Sequence, residues 1–249
     1  MVPIIKIENL SKSYNNEDIL KNINLSINKR EIISIIGPSG VGKTTLLKII
    51  SGLVKPDTGT IKINDRDINN IKEQKIIGYI FQSPTLLPWR TAIENVTLSL
   101  EILNNLSKEE IKKNATNSLE IVGLKGYENL YPKELSGGMQ QRVAIARALS
   151  FNPKILLMDE PFSALDEITR EKMNQLIIDI WEKGLVENII LVTHSITDAV
   201  YLSDKIIVIN NKPGKITYTQ QVDLPKKRTI KIKDSKRFKE LIRCLKQKL

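Results

Sequence analysis

Short runs of β-branched and other apolar residues recur along the chain and alternate with longer segments of helical periodicity. The apolar runs occupy residues 32–36, 76–81, 155–158, 189–193 and 206–209, and each has the length of a strand. Between several of them lie segments with apolar residues at helical spacing, such as 44–51 and 169–182. This alternation predicts βαβ units and a mostly parallel, buried sheet.

One stretch departs from that alternation. From Ser83 to about Ser150 we find no convincing strand, and the periodicity predicts helices at Ala92–Leu103, Lys108–Val122 and Gly138–Leu149. We therefore predict an α/β domain over residues 1–224 that carries an inserted helical lobe at about 83–150. A C-terminal tail at 225–249 follows it. The sequence contains no internal repeat.

Composition narrows where the protein works. No stretch of the 249 residues approaches the roughly 20 apolar residues that span a bilayer. The first ten residues alternate polar and apolar positions, so they lack the apolar centre of a signal peptide. The single cysteine, Cys244, excludes an internal disulfide and suits a reducing compartment. We expect the protein to stay inside the cell and to reach a membrane only through partners.

The formal net charge of +10 is concentrated in the tail. Residues 225–249 hold eleven of the 38 Lys and Arg residues but only two of the 28 Asp and Glu residues. The rest of the chain is nearly neutral, whereas a nucleic-acid-binding domain spreads basic residues over a groove-sized face. We therefore expect no nucleic-acid partner.

A glycine-rich segment joins the run at 32–36 to the helical pattern that follows it. Residues 37–44 read GPSGVGKT, the phosphate-binding pattern in its required place between a strand and a helix. Backbone N–H groups of such a loop face phosphate oxygens, and the helix N-terminus adds partial positive charge. Lys43 would reach the β- and γ-phosphates, and the Thr44 hydroxyl would ligate Mg²⁺. The alternative is a glycine turn with a surface lysine.

Two acids end the apolar run at 155–158. Asp159 stands where a buried strand delivers a carboxylate to the Mg²⁺ sphere, and Glu160 follows as a candidate general base. The alternative is a pair of solvated acids at a strand end. These residues and the loop predict a phosphate-loop NTPase, without deciding between kinase, GTPase, motor and transporter.

A third motif decides between these classes. Residues 135–142 read LSGGMQQR and open the predicted helix at 138–149, so that Ser136, Gly137 and Gly138 form a second anion site. For the serine alone, a helix N-cap would be the simpler interpretation. Placed between the phosphate loop and Asp159, the motif resembles the signature of ABC ATPases, with methionine at position 139 where glutamine is commoner.

The resemblance covers about residues 4–220 and assigns roles to further positions. It implies that Tyr14 stacks on adenine, that Gln82 links Mg²⁺ and water to a membrane partner, and that His194 contacts the γ-phosphate and the attacking water. Taken alone, a tyrosine or a lone histidine is more often structural. Residues 163–166 resemble the loop that contacts the opposite nucleotide site, through Asp166.

The resemblance implies ATP and Mg²⁺ as cofactors and three groups of site residues. The catalytic group is Glu160, His194 and Gln82. The nucleotide-binding group is Tyr14, Gly37, Pro38, Ser39, Gly40, Val41, Gly42, Lys43, Thr44, Thr45, Ser136, Gly137, Gly138 and Asp166. The metal-binding group is Thr44, Gln82 and Asp159.

Three details resemble the nitrate, sulfonate and taurine importers of the ABC family. They are the sequence LLPW at 86–89, Met139, and KPGKI at 212–216. This implies a homodimer at the cytoplasmic face of the inner membrane, membrane permease subunits and a separate substrate-binding protein. Trp89 is either a partly buried anchor within the lobe or a residue beside the groove for a permease helix. An ABC exporter and a soluble ABC ATPase are the alternatives.

The basic tail carries Phe238, Leu241, Ile242, Leu245 and Leu249 at helical spacing among its cations. It is either a terminal helix packed on the core with a solvated cationic face or a segment attracted to anionic lipid.

Overall fold

The computed structural model describes residues 3–68, 76–103, 106–226 and 228–249. Its strands are β1 (Ile5–Tyr14), β2 (Glu17–Ile27), β3 (Ile32–Ile36), β4 (Thr58–Ile63), β5 (Arg66–Asp67), β6 (Ile77–Ile80), β7 (Ile155–Asp159), β8 (Asn188–Val192), β9 (Lys205–Asn210) and β10 (Lys215–Gln221). Its α-helices are α1 (Lys43–Ile50), α2 (Ala92–Leu103), α3 (Lys108–Ile121), α4 (Gly137–Leu149), α5 (Glu167–Glu182), α6 (Ile196–Leu202) and α7 (Lys236–Lys246).

These elements form two compact units. The first contains residues 1–74 and 187–249, and the second contains residues 75–186. The predicted strands and helices lie within two residues of the observed ones at both ends, so the α/β fold class is confirmed. The described part of 83–150 contains helices and no strand.

A parallel sheet forms the centre of the first unit. β3 lies between β8 and β9 and pairs in parallel with both, and every residue of β3 and β8 is buried. Burial on both faces explains why these strands are almost entirely apolar in the sequence. β10 extends the sheet antiparallel to β9 as an edge strand that alternates exposed and half-buried residues.

The first unit also holds an antiparallel sheet in the order β2-β1-β4-β5, which the pattern of apolar residues does not predict. Its strands carry many polar residues, and the register between β1 and β2 shifts at several points. Asn9 and Asn22, with φ angles of 51° and 53°, lie at these irregularities. Such bulges break the strict two-residue alternation on which sequence assignment of strands depends.

The second unit joins a short parallel pair to a group of helices. β6 pairs in parallel with β7, and α2, α3 and α4 pack against one another. A reciprocal cap begins α3, since the Ser107 side chain accepts from the Glu110 amide while the Glu110 carboxylate accepts from the Ser107 amide. Among all described residues, no helix is both long enough and apolar enough to cross a bilayer.

The tail packs onto the first unit. Phe238, Leu241 and Leu245 of α7 are buried, which confirms the prediction of a docked terminal helix. Arg228 is also buried, and its guanidinium donates to the carbonyls of Val200, Tyr201 and Ser203 at the end of α6. A cation at a helix C-terminus satisfies carbonyls that have no partner inside the helix. Lys227 lies outside the described residues.

Candidate nucleotide site

The phosphate loop connects β3 to α1 through a backbone that only glycine permits at two points. A Cβ atom on Gly37 would lie 2.0 Å from the Ile209 carbonyl oxygen, which is too close for any side chain. Gly42 precedes α1 with a φ angle of 97°, in the left-handed region. The loop therefore turns sharply into the helix and presents the backbone of the first helical turn.

Lys43 is held inside this loop rather than on the surface. Its side chain is 4% exposed, and its ammonium group donates to the carbonyl oxygens of Gly37 at 2.9 Å and Pro38 at 2.7 Å. The alternative of a surface lysine is therefore wrong. In the rest of the loop, Pro38, Ser39 and Gly40 are exposed, while Val41 is buried. A cation fixed in this way loses little side-chain entropy when an anion binds.

The first turn of α1 contributes further groups suited to phosphate. Thr44 and Thr45 are half-buried there, and the turn contains no acidic residue. The first N–H groups of a helix have no partner within it, so they can bind phosphate oxygens.

Tyr14 and His194, in the same unit, are both exposed. Tyr14 ends β1 with 43% of its surface exposed, and the Lys12 ammonium lies 5.2 Å from the ring centroid. His194 follows β8 and the buried Thr193. Neither residue is part of a core, so the interpretation of Tyr14 as a core side chain is wrong.

In the second unit, Asp159 ends β7 and is 6% exposed. The Tyr79 hydroxyl lies 3.4 Å from its Oδ2 atom and is oriented to donate to it. Burial raises the pKa of the Tyr79 hydroxyl well above its ordinary value, and the nearby Asp159 carboxylate raises it further. Tyr79 therefore remains a neutral donor, and Asp159 is not the solvated acid of the alternative interpretation.

The register of β6 and β7 brings Gln82 opposite Glu160. Ile80 pairs with Met158 in a parallel register, so Gln82 and Glu160, each two residues later, follow the two strands at the same level. The Gln82 amide Nε2 donates to Glu160 Oε2 at 3.5 Å. Glu160 has a φ angle of 48°, an unusual conformation for a residue other than glycine, asparagine or aspartate. A turn stabilises it, since the amide and the hydroxyl of Ser163 donate to the Glu160 carbonyl.

Ser136 caps α4 by accepting from the Met139 amide at 3.3 Å. The N-cap interpretation is thus correct, and it leaves the anion-site interpretation intact because the remaining first-turn N–H groups are still available. Ser136 and Gly137 are exposed. A Cβ atom on Gly138 would lie 2.8 Å from the Thr169 methyl group, so a side chain there would crowd α5.

Asp166 has a comparable place at the start of α5. Its carboxylate caps the helix by accepting from the Thr169 amide at 3.0 Å. Hydrogen bonds from the hydroxyl and the amide of Thr169 lower the pKa of Asp166. It therefore stays ionised on an exposed surface.

The predicted metal-binding side chains suit Mg²⁺ by their chemistry. The Thr44 hydroxyl, the Asp159 carboxylate and the Gln82 amide all offer hard oxygen atoms, and none offers sulfur. Within the described residues, no group of three or more His, Cys, Asp or Glu forms a cation cage of its own.

Two features of the second unit were not predicted as functional. A groove of about 290 Å³ lies beside the loop that follows β6. Its lining includes Phe81, Leu98, Ile102, Arg147 and Phe151. Arg147 could have been noticed in the sequence, because it is the one charged residue in the otherwise apolar stretch 143–149.

Trp89 lies in the loop that follows β6. It is 70% exposed, so the interpretation of Trp89 as a partly buried anchor is wrong.

Comparison with known proteins gives a consistent result. The sequence profile of the family described as ABC transporter matches residues 20–163. The aliphatic sulfonates import ATP-binding protein SsuB of Bacillus subtilis is 46% identical over 213 residues, or 85% of this chain and 81% of that protein. The nitrate import ATP-binding protein NrtD of Synechocystis sp. is 42% identical over 225 residues, or 88% of this chain and 83% of that protein.

A solved structure gives the same result for the fold. The ATP-binding cassette MJ0796, as a dimer in a post-hydrolysis state bound to ADP and Pi, superposes with a TM-score of 0.78 at 39% identity. The match covers 89% of this chain and all of that one.

Proposed function

The chain belongs to the ABC transporter family, and on that premise we propose that it is the ATP-hydrolysing subunit of a membrane importer. The observation that carries this proposal is the position of Lys43. A buried ammonium group, held by two loop carbonyls at the start of a helix, provides a ready site for the phosphates of a nucleotide.

We assign the residue roles as follows. Lys43 and the backbone of residues 37–45 hold the β- and γ-phosphates, and Tyr14 stacks on the adenine. Thr44, Asp159 and Gln82 hold Mg²⁺, which neutralises charge on the phosphates when it is bound. Glu160 accepts a proton from water as the water oxygen attacks the γ-phosphorus and ADP departs, and His194 orients that water and the γ-phosphate.

We further propose that two copies work as a pair. Ser136, Gly137 and Gly138 of one copy cover the nucleotide that Lys43 of the other copy holds, with Asp166 at the junction. The solved dimer bound to ADP and Pi, and the exposure of Ser136 and Gly137, support this arrangement. It provides the enclosure that one exposed loop cannot give to a transition state.

The partners we propose are membrane permease subunits with a separate substrate-binding protein, and the location is the cytoplasmic face of the membrane. The exposed Trp89 and Ile102 near the groove are suited to a permease helix. The names of the sulfonate and nitrate relatives, with the sequence LLPW at 86–89, support import of nitrate, a sulfonate, taurine or a related small solute.

An importer subunit should hydrolyse ATP faster when it is assembled with its membrane subunits. The direct test compares phosphate release by the chain alone and by the chain reconstituted in vesicles with the permease subunits encoded beside it. We expect stimulation that the substrate-binding protein increases further. Equal rates in all conditions would favour a soluble ABC ATPase, and stimulation that ignores the binding protein would favour an exporter.

The cationic face of α7 supports one more partner, an anionic lipid surface. Lys236, Lys239, Arg243 and Lys246 are exposed and spaced so that they lie along one face of the helix. Lys236 has a 4.0 Å ion pair with Glu240, and in the described part of the chain the other three have no ion pair. Because the apolar face is buried, we propose that the helix adsorbs by charge without inserting.

Removal of three of these charges should therefore weaken binding to vesicles rich in phosphatidylserine. Each cation near such a surface contributes about 1 kcal/mol, so the triple variant K239Q/R243Q/K246Q should bind roughly a hundredfold more weakly. Co-sedimentation at low and high salt measures this. The triple variant K108Q/K112Q/K113Q, with the same charge change on the exposed positions of α3, serves as the control. Equal binding by both variants, or binding that salt does not weaken, would contradict the proposal.

A further inference from the structure

Arg147 lies near the C-terminal end of α4, the helix that Ser136 caps, yet its side chain holds a different segment. Its Nη1 donates to the Thr85 carbonyl at 2.9 Å, and its Nη2 donates to the Pro84 carbonyl at 2.8 Å. Nη2 also donates to the Thr85 hydroxyl at 3.1 Å. One planar guanidinium thus contacts three oxygen atoms of two neighbouring residues, which a lysine ammonium cannot reproduce.

The segment it holds is strained. Thr85 has a φ angle of 46°, and a β-branched residue in that region is a genuine outlier. Such a conformation persists only where the surroundings impose it. The three hydrogen bonds from Arg147 to Pro84 and Thr85 stabilise this conformation of Thr85.

Arg147 is itself firmly placed. The Ser99 hydroxyl of α2 donates to the Arg147 carbonyl at 3.2 Å, and the Ser150 hydroxyl donates to the same carbonyl at 2.9 Å. Gly78 of β6 lets this end of α4 come close, because a Cβ atom there would lie 3.0 Å from the Ala148 carbonyl oxygen. The backbone of Arg147 is therefore fixed next to β6, and its guanidinium holds the loop that follows that strand.

The held segment begins two residues after Gln82. Gln82 is exposed, and the 3.5 Å contact between its amide and the Glu160 carboxylate is at the long limit of a hydrogen bond. A small shift of residues 83–85 would therefore break that contact.

We infer that Arg147 is a positioning residue for hydrolysis, which fixes the loop at Pro84 and Thr85 and thereby holds the Gln82 amide against Glu160. The inference rests on the proposed ATPase function and extends it to a residue whose guanidinium donates to Pro84 and Thr85 and not to a proposed site residue. The residue that sets the position of the Gln82 side chain thus lies on α4, the helix that Ser136 caps.

The test is a double-mutant cycle on the full chain with Mg-ATP, measured as phosphate release below the melting temperature of each variant. R147K keeps the charge and loses the fork, so kcat should fall by about tenfold to a hundredfold, the cost of misplacing a group by about 1 Å. KM for ATP should stay within about twofold, since the phosphate loop is unchanged. In the Q82A background, R147K should lower kcat no further, because residues that act through each other are not additive.

Two further variants separate positioning from general stability. S118A removes a side-chain hydrogen bond that does not involve Arg147, from the Ser118 hydroxyl to the Asn114 carbonyl of α3 at 2.8 Å, and its kcat should equal that of the wild type. Thr85→Asn introduces a residue that adopts the left-handed region more easily, so it should restore part of the kcat lost in R147K. T85V removes one accepted bond without touching Arg147 and should cause a smaller loss that is likewise absent in Q82A.

The outcomes are distinguishable. If the wild type releases no phosphate from ATP, the proposed function itself fails. If the wild type hydrolyses ATP but R147K keeps its kcat, the inference about Arg147 is wrong. A loss in R147K that multiplies with that of Q82A, or that is matched by S118A, would also overturn it, because either result indicates a structural role independent of Gln82.

Discussion

The substitution Glu160→Gln should abolish steady-state ATP hydrolysis while ATP binding remains. An amide cannot accept the proton of the attacking water, and loss of a general base typically costs about a hundredfold to ten-thousandfold in rate. Glutamine matches glutamate in shape, and its carbonyl oxygen can still accept from the Gln82 amide, which now contacts Glu160 Oε2. ATP-bound pairs should therefore accumulate.

Single-turnover and steady-state phosphate release measure the loss of hydrolysis. Sedimentation in the presence of ATP measures the accumulation of ATP-bound pairs. E182Q makes the same isosteric change at an exposed position near the end of α5 and should behave as the wild type. An E160Q protein that kept near wild-type turnover would remove Glu160 from the catalytic role.

The second large effect is expected from Lys43→Ala, which should weaken nucleotide binding. The ammonium group is buried, so its charge is poorly screened, and a hydrogen bond to a charged group contributes about 1.5–3 kcal/mol. Loss of contacts to two phosphates therefore predicts affinity for ATP that is roughly a hundredfold lower. The carbonyls of Gly37 and Pro38 also lose the cation that joins them, so the loop becomes less ordered.

Calorimetry with ATP measures the affinity directly. K48A, a change of the same kind on the last turn of the same helix, should bind ATP as the wild type does. Equal affinity of K43A and wild type would contradict the role of the loop.

Much of the parallel sheet and of the helical stretch could be predicted because buried segments have a regular pattern of apolar residues in the sequence. Strands buried on both faces, such as β3 and β8, contain almost nothing but apolar residues, and the turns of the phosphate loop need glycine for steric reasons. Asp159 and Glu160 can be proposed as site residues from the sequence because acids stand out at the end of an apolar strand.

The missed features depend on contacts between residues that are distant in the sequence. The antiparallel strands β1 and β2 are interrupted by bulges, so no regular alternation marks them. The exposure of Trp89 and the three hydrogen bonds of Arg147 depend on how the loop at 82–90 lies against α4, which local pattern does not encode. The left-handed conformation of Glu160 follows from its turn with Ser163, again a property of the folded chain.

The central claim is that two copies form composite ATP sites, and crossed mutants test it most directly. In a mixed pair of K43A and S136R subunits, both lesions fall in one composite site and leave the other intact. ATP-driven closure, followed by energy transfer between dyes on the two subunits, should therefore persist in the mixed pair and be absent from each mutant homodimer. If Ser136 served the nucleotide of its own subunit, every site in the mixture would be damaged, and closure no better than in the homodimers would contradict the account.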